Sequence, residues 1–198
     1  MKSNWEQEFA DAQRYLATEV RSPARREYVG GVPYAMAGAS NAHNQIATNT
    51  LLALGSRLRG KPCRAFNSDT KVRIRLPFQL RFYYPDVTVT CRPNPQHESF
   101  QDEPSLLVEV VSDETRRIDE SEKMLAYTQI PSLQVYLLVE QRAARIVVLR
   151  RTASGFQREE HDGTVTIALP EIGCELPLAE VYDGVDLLPA RQLAAVDA

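Results

Sequence analysis

Residues 106–111 read LLVEVV, and the glutamate inside that run decides how the chain is read. A continuous apolar run of this length fits a central strand covered on both faces. Alternation along such a strand places Glu109 on the face of Leu107 and Val111, opposite Val108 and Val110. A lone carboxylate there costs several kcal/mol of desolvation unless a cation, a metal or hydrogen-bond donors meet it. An edge position or an exposed strand end would make the same glutamate harmless, so this residue alone leaves the structural and functional readings level.

Upstream, FYYPDVTVTC at 82–91 is a second strand with Asp86 directly after Pro85. Alone, Pro-Asp is an ordinary turn pair. Two carboxylates at one end of neighbouring strands, however, supply the hard oxygen ligands that Mg²⁺ takes, with waters and a substrate phosphate completing the octahedron. Such an ion stabilises developing negative charge and acidifies a bound water, which suits phosphodiester hydrolysis. Residues 64–75 read as one more strand, with Lys71, Arg73 and Arg75 alternating against Val72, Ile74 and Leu76, one side core and the other basic.

Downstream, residues 116–129 read as a helix ended by Pro131. It carries Lys123, which near a metal would orient water or stabilise transition-state charge. Asp119, four residues earlier, reads by spacing as an ordinary surface partner of that lysine. Residues 133–140 return as an apolar strand. RIVVLRR, a turn at Gly155 and TVTIALP then make a β-rich tail.

The N-terminal part opens with a helix over 4–20, with Phe9, Ala12 or Gln13, and Leu16 at helical spacing. A hairpin over 26–36 turns at Gly30-Gly31. A second helix over 40–59 has Ser40 as N-cap and Ala47, Leu51, Leu54 and Leu58 on one face. His43 extends that face and reads as a core-edge histidine, Glu27 as a solvent-facing strand residue and Asp69 as a turn residue. The order of elements is α/β with a mixed sheet flanked by helices, an N-terminal hairpin and a β-rich C-terminal extension, and not a regular βαβ winding.

The chain has 198 residues, 43% hydrophobic and 25% charged, with a formal net charge of -3. This predicts one globular domain over 1–198, with its core from about residue 10 to 185. No apolar stretch is long enough to span a membrane. The polar, acidic start MKSNWEQEFADAQ does not resemble a secretory signal, which points to the cytoplasm. Cys63, Cys91 and Cys174 are too few and scattered for a disulfide framework and read as single residues in a reduced compartment. His43, His97 and His161 form no zinc-binding spacing, and phosphate-cradling and dinucleotide glycine loops are absent.

Taken whole, a negative net charge argues against nucleic acid. Divided, it does not: eight basic residues stand against one acid between Arg57 and Arg81, while nine acids stand against one base from Glu159 to the end. Arg57, Arg59, Lys61, Lys71, Arg73, Arg75 and Arg81 are therefore candidate phosphate-backbone contacts leading toward Asp86. A solvated basic face is the plain alternative.

The strings REYVGG, AMAGASNAHNQIATN, NSDTKVRI, YYPDVTV, PSLLVEVVSDETRRIDESEKMLAY and PSLQVYLLVE, in this order over nearly the whole chain, resemble the Uma-type restriction endonuclease family of the PD-(D/E)XK nuclease superfamily. The resemblance implies a restriction endonuclease-like core and a Mg²⁺-dependent site, in which Mn²⁺ would substitute. Asp86 matches the aspartate of the PD element and Glu109 the acidic residue of (D/E)XK. The sequence departs from that pattern where Val111 stands in place of the lysine. In this family the lysine comes from the following helix, where Lys123 stands. Glu27 and His43 match polar positions that would close over the same site.

Three readings follow. The first is a metal-dependent endonuclease acting on DNA, with Asp86 and Glu109 as metal ligands and Lys123, Glu27 and His43 as further catalytic residues. The second is an inactive nucleic-acid-binding or assembly module of the same fold, motivated by the missing lysine. The third is a metal-dependent phosphoesterase of small molecules. Duplex DNA as substrate and a homodimer with two symmetric sites complete the expectation.

Overall fold

A computed structural model describes residues 4–36, 38–113 and 115–187. Helix α1, Asn4–Glu19, leads into a hairpin of β1, Arg26–Val29, and β2, Val32–Ala35. Gly30 and Gly31 both take positive φ, 53° and 94°, the left-handed conformation that a two-residue hairpin turn requires. Helix α2, Asn41–Arg57, follows its N-cap Ser40, whose hydroxyl accepts a hydrogen bond from the His43 amide at 3.1 Å. That cap satisfies an amide of the first turn and pins His43 at the start of the helix.

Four strands come next: β3 Arg64–Asn67, β4 Lys71–Leu76, β5 Gln79–Tyr83 and β6 Val87–Thr90. The single strand expected over 64–75 is therefore two strands that separate into different sheets, with a turn at Asn67–Thr70 between them. After the two-residue β7, Phe100–Gln101, the central strand β8 runs Pro104–Val111. A π-helical segment, Ile118–Lys123, then continues directly into α3, Met124–Tyr127, where one α-helix was expected. Strands β9, Val135–Glu140, and β10, Arg145–Thr152, follow, and β11, Gly155–Asp162, is a strand where the sequence suggested only a turn. Its GFQREEHD lacks an apolar alternation, as suits an edge strand whose sole strand partner among the described residues is β10. Strands β12, Thr166–Leu169, and β13, Cys174–Pro177, and the short helix α4, Leu178–Val181, end the described chain.

The main sheet has the order β11-β10-β9-β8-β6-β3, and the smaller one β2-β1-β5-β4-β7. Within the main sheet β8 and β9 are parallel, with Glu109 opposite Leu138. A parallel pair demands a long crossover, and here the crossover is the segment that carries Lys123.

The period-2 reading of β8 holds. Leu106, Val108 and Val110 join one core with Ile46, Ala53 and Leu54 of α2, and Leu107 and Val111 join the other with Tyr127 and Tyr136. On α2 the buried face turns slightly from the expected one, to Ile46, Thr50, Ala53 and Leu54, with Ala47 and Leu51 packed at its margin. On α1 it is Ala12 and Tyr15, stacked on Tyr28 and Phe82, that face inward, while Phe9 is exposed.

Cys63 and Cys91 form a disulfide, so the reading of all three cysteines as single reduced residues does not hold. Their separation of 28 residues conceals the pairing. The antiparallel register of β3 on β6, with Arg64 opposite Thr90, brings the flanking cysteines together. Among the described residues no helix is long and apolar enough to cross a membrane.

Candidate active site

The five residues singled out as catalytic converge. Glu109 projects from β8 toward the crossover, where Lys123 Nζ lies 3.1 Å from its Oε1 and the Tyr127 hydroxyl donates to the same oxygen at 2.7 Å. Lys123 also stands 3.4 Å from Glu27 Oε1 and 3.3 Å from Asp119 Oδ1. Asp86 occupies the link between the small sheet and the main one, and its Oδ2 accepts the Val110 amide at 2.7 Å. His43 Nε2 lies 3.3 Å from that oxygen. Glu27, on β1, accepts the Tyr84 amide at 3.4 Å, which joins the hairpin to the segment bearing Asp86.

Asp119 is the residue that spacing misread. It is buried, not a surface partner of Lys123, and Tyr136 holds its backbone by donating to the Asp119 carbonyl at 3.2 Å. Tyr127 was not anticipated at all. The four-residue steps from Asp119 to Lys123 and from Lys123 to Tyr127 were the available signal, since residues so spaced share a helix face.

The cluster holds four carboxylates, Glu27, Asp86, Glu109 and Asp119, against one ammonium and one imidazole. Burial pushes the Glu109 carboxyl well above its ordinary range, Lys123 opposes that, and Asp119 and Asp86 reinforce it. Burial likewise raises Glu27 and Asp119, again against the pull of Lys123. Burial works against the charge of Lys123, yet Glu109, Glu27 and Asp119 together hold it well above a normal lysine. For His43 burial favours the neutral ring, but the bond to Asp86 and its charge prevail and its pKa is raised. Every one of these shifts expresses a surplus of negative charge in a dry place.

That surplus is the environment a divalent cation would relieve. Among the described residues Glu109 Oε2 and Asp86 Oδ1 accept no hydrogen bond, so each carboxylate keeps an oxygen available. No three His, Cys, Asp or Glu side chains among the described residues form a ready-made cage. Mg²⁺ does not ask for one, because it is commonly held by one or two carboxylates, waters and substrate phosphate. The donor set fits that ion.

The basic residues do not form one face leading to Asp86. Lys71 is buried, with its Nζ 3.3 Å from the Tyr84 hydroxyl. Arg73 is paired with Asp102 at 2.7 Å and stacked on Phe100. Arg81 reaches the Tyr83 hydroxyl at 3.0 Å and Glu122 at 3.6 Å. Arg57 is bound to Glu180 at 2.5 Å. Arg59, Lys61 and Arg75 stay exposed, and Arg59 and Lys61 lie beyond the far end of α2 from His43. Partners distant in sequence have taken up much of the charge that a count along the chain assigns to one surface.

The Uma2 family model, described as "Putative restriction endonuclease", matches residues 12–179. An uncharacterized protein of Synechocystis sp. is 31% identical over 175 residues, 87% of this chain and 91% of its own length. A second from the same organism is 30% identical over 138 residues, 68% of this chain and 77% of its own. A crystal structure from Anabaena variabilis, titled as a "putative nuclease belonging to DUF820", superposes with a TM-score of 0.66 at 15% identity, covering 83% of this chain and 94% of that one. The fold is thus shared with that protein.

Proposed function

Since this chain belongs to the Uma2 family, we propose that it is a metal-dependent endonuclease that hydrolyses phosphodiester bonds of duplex DNA. The observation that carries the reading is the contact of Lys123 with Glu109, Glu27 and Asp119. It puts an ammonium beside Glu109 even though Val111 fills the position where a nuclease of this type would carry its lysine.

Asp86 and Glu109 would hold Mg²⁺, or Mn²⁺ in its place, through their unengaged oxygens. Bound there, the ion supplies an acidified water and neutralises charge on the phosphate. Lys123, fixed by three carboxylates, orients the attacking water and meets negative charge that grows in the transition state. Tyr127 holds Glu109 Oε1 by its hydroxyl and so leaves Oε2 as the oxygen that would bind the ion. His43 directs Nε2 to Asp86 and has no hydrogen-bond partner for Nδ1 among the described residues. With Nδ1 buried and unpartnered, the ring acts through Nε2, which orients Asp86. Glu27 fixes Lys123 from the hairpin side. A homodimer would present two such sites to the two strands of a duplex.

The test is nicking of supercoiled plasmid in Mg²⁺ or Mn²⁺, with Mn²⁺ binding followed by calorimetry. Glu109→Ala is expected to abolish nicking, and Asp86→Ala to abolish Mn²⁺ binding. Undiminished metal-dependent nicking in Glu109→Ala would overturn the assignment. Duplex binding without nicking by the wild-type protein would favour an inactive module. Turnover of small phosphoesters without DNA affinity would favour a phosphoesterase.

A further inference from the structure

The cations left unused by the candidate site gather where α2 ends. Arg57 and Lys61 line a concavity of about 520 Å³ together with Cys174 and Glu175. Arg59 and Arg64 line a neighbouring one of about 340 Å³ with Leu58 and Cys63. The loop between the two is held in shape: the Arg64 guanidinium donates to the carbonyls of Lys61 and Cys63, and Lys61 Nζ donates to the Gly173 carbonyl at 2.6 Å.

Carboxylates quench only part of this charge. Arg57 is paired with Glu180. Arg59, Lys61 and Arg64 have no ion pair among the described residues, and the bonds of the latter two go to neutral carbonyls. The negative end of a helix dipole amounts to about half a charge. Arg57, which donates to the Ala53 carbonyl at 3.1 Å, already answers it, and three full charges remain over.

Helix α2, which runs from this patch to the candidate site, carries no acid of its own, although Glu180 of α4 flanks it at Arg57. No Asp or Glu occurs between Glu27 and Asp69, a span that includes all of α2. A polyanion lying along the solvent side of the helix therefore meets no carboxylate of the helix itself. From His43, in contact with Asp86, to Arg57 the helix advances 14 residues, or about 21 Å at roughly 1.5 Å per residue. At about 3.4 Å per base pair this spans about six base pairs.

We propose that Arg59, Lys61 and Arg64 form a phosphate-binding surface for the backbone of duplex nucleic acid, about six base pairs from the bond held at Asp86 and Glu109. This deepens the endonuclease reading and rests on it. It names the substrate as a duplex long enough to reach both places, and it separates backbone anchoring from the chemistry.

The experiment is fluorescence anisotropy in EDTA, without cleavage, using labelled 20-base-pair and 6-base-pair duplexes with the full chain. Arg59→Ala/Lys61→Ala/Arg64→Ala is expected to lose at least about tenfold in affinity for the long duplex. Its slope of log K against log salt should flatten by about 0.9 per phosphate contact removed. The short duplex offers fewer phosphates and should bind more weakly from the start, losing affinity in the same direction. Arg64 and Lys61 also brace the loop, so Arg59→Glu, whose side chain has no hydrogen bond or ion pair among the described residues, serves as the second variant and is expected to weaken duplex binding with the loop intact. Unchanged affinity and salt slope in both variants would overturn the proposal, as would no binding by the wild type. Nicking separates the two readings. Absence of nicking with this binding pattern intact overturns the nuclease and leaves the surface standing, and nicking with variant-insensitive binding does the reverse.

Discussion

Two lysines among the described residues lie buried, Lys123 with 7% of its surface exposed and Lys71 with 5%, and their surroundings drive them in opposite directions. Lys123 is met by three carboxylates within 3.4 Å and is held well above an ordinary lysine pKa despite burial. Lys71 has the Tyr84 hydroxyl at 3.3 Å, its amine 5.0 Å from the centre of the same ring, and burial lowers its pKa against the weaker pull of Glu19 and Asp69. Glu19 is already engaged by Arg26 at 2.9 Å and by the Tyr84 hydroxyl at 3.0 Å. Burial alone therefore does not mark a functional lysine. The carboxylates that need its charge do.

The strongest way to break this comparison is Lys123→Met. It leaves Glu27, Glu109 and Asp119 buried together without their cation, and a loss of roughly 3–5 kcal/mol in unfolding free energy is expected from urea titration near neutral pH. A loss below about 1 kcal/mol would mean that the carboxylates are already protonated and the ammonium is dispensable.

Lys71→Met is expected to do the opposite. A charge with little compensation is exchanged for an apolar side chain of similar volume, so stability should change by less than about 1 kcal/mol or rise. The measurement is the same titration, and a loss matching that of Lys123→Met would erase the distinction between the two sites.

The smallest effect concerns pH. A lysine whose folded pKa is lowered loses its proton in the native state before the unfolded one, so wild-type stability climbs as pH rises from that folded value toward about 10.4. The advantage of Lys71→Met over wild type should shrink across this alkaline range, by at most about 1.4 kcal/mol per pH unit. Lys123 has the reverse sign, since its contribution is present below the unfolded lysine pKa and is lost as pH rises through its higher folded value. A gap that widens with pH would contradict the assignment of Lys71.

How much of this was legible depends on how local each signal is. Glu109 stood out because a carboxylate breaks an apolar run, and its face followed from the two-residue period of a strand. The hairpin at Gly30-Gly31 and the cap at Ser40 were readable for the same reason, since each depends on a few adjacent residues. Asp119 was not legible as a site residue, because an aspartate four residues before a lysine looks alike on a wet helix and a dry one. The basic stretch misled because its quenching partners, Asp102 for Arg73, Glu122 for Arg81 and Glu180 for Arg57, lie elsewhere in the chain. The Cys63–Cys91 disulfide escaped notice for a kindred reason, as only strand register makes those two residues neighbours.

By itself the sequence determined the α/β class and the central strand with its acidic interruption, because periodicity and burial cost act through near neighbours; Lys123, Glu27 and His43 were named with Asp86 and Glu109 only through the family resemblance. Only the tertiary structure decided which carboxylates share Lys123, that Asp119 and Tyr127 belong with them, and which cations remain free at the end of α2. Those outcomes depend on desolvation and on partners brought together across sheets and a crossover, and neither quantity is written in any single stretch of chain.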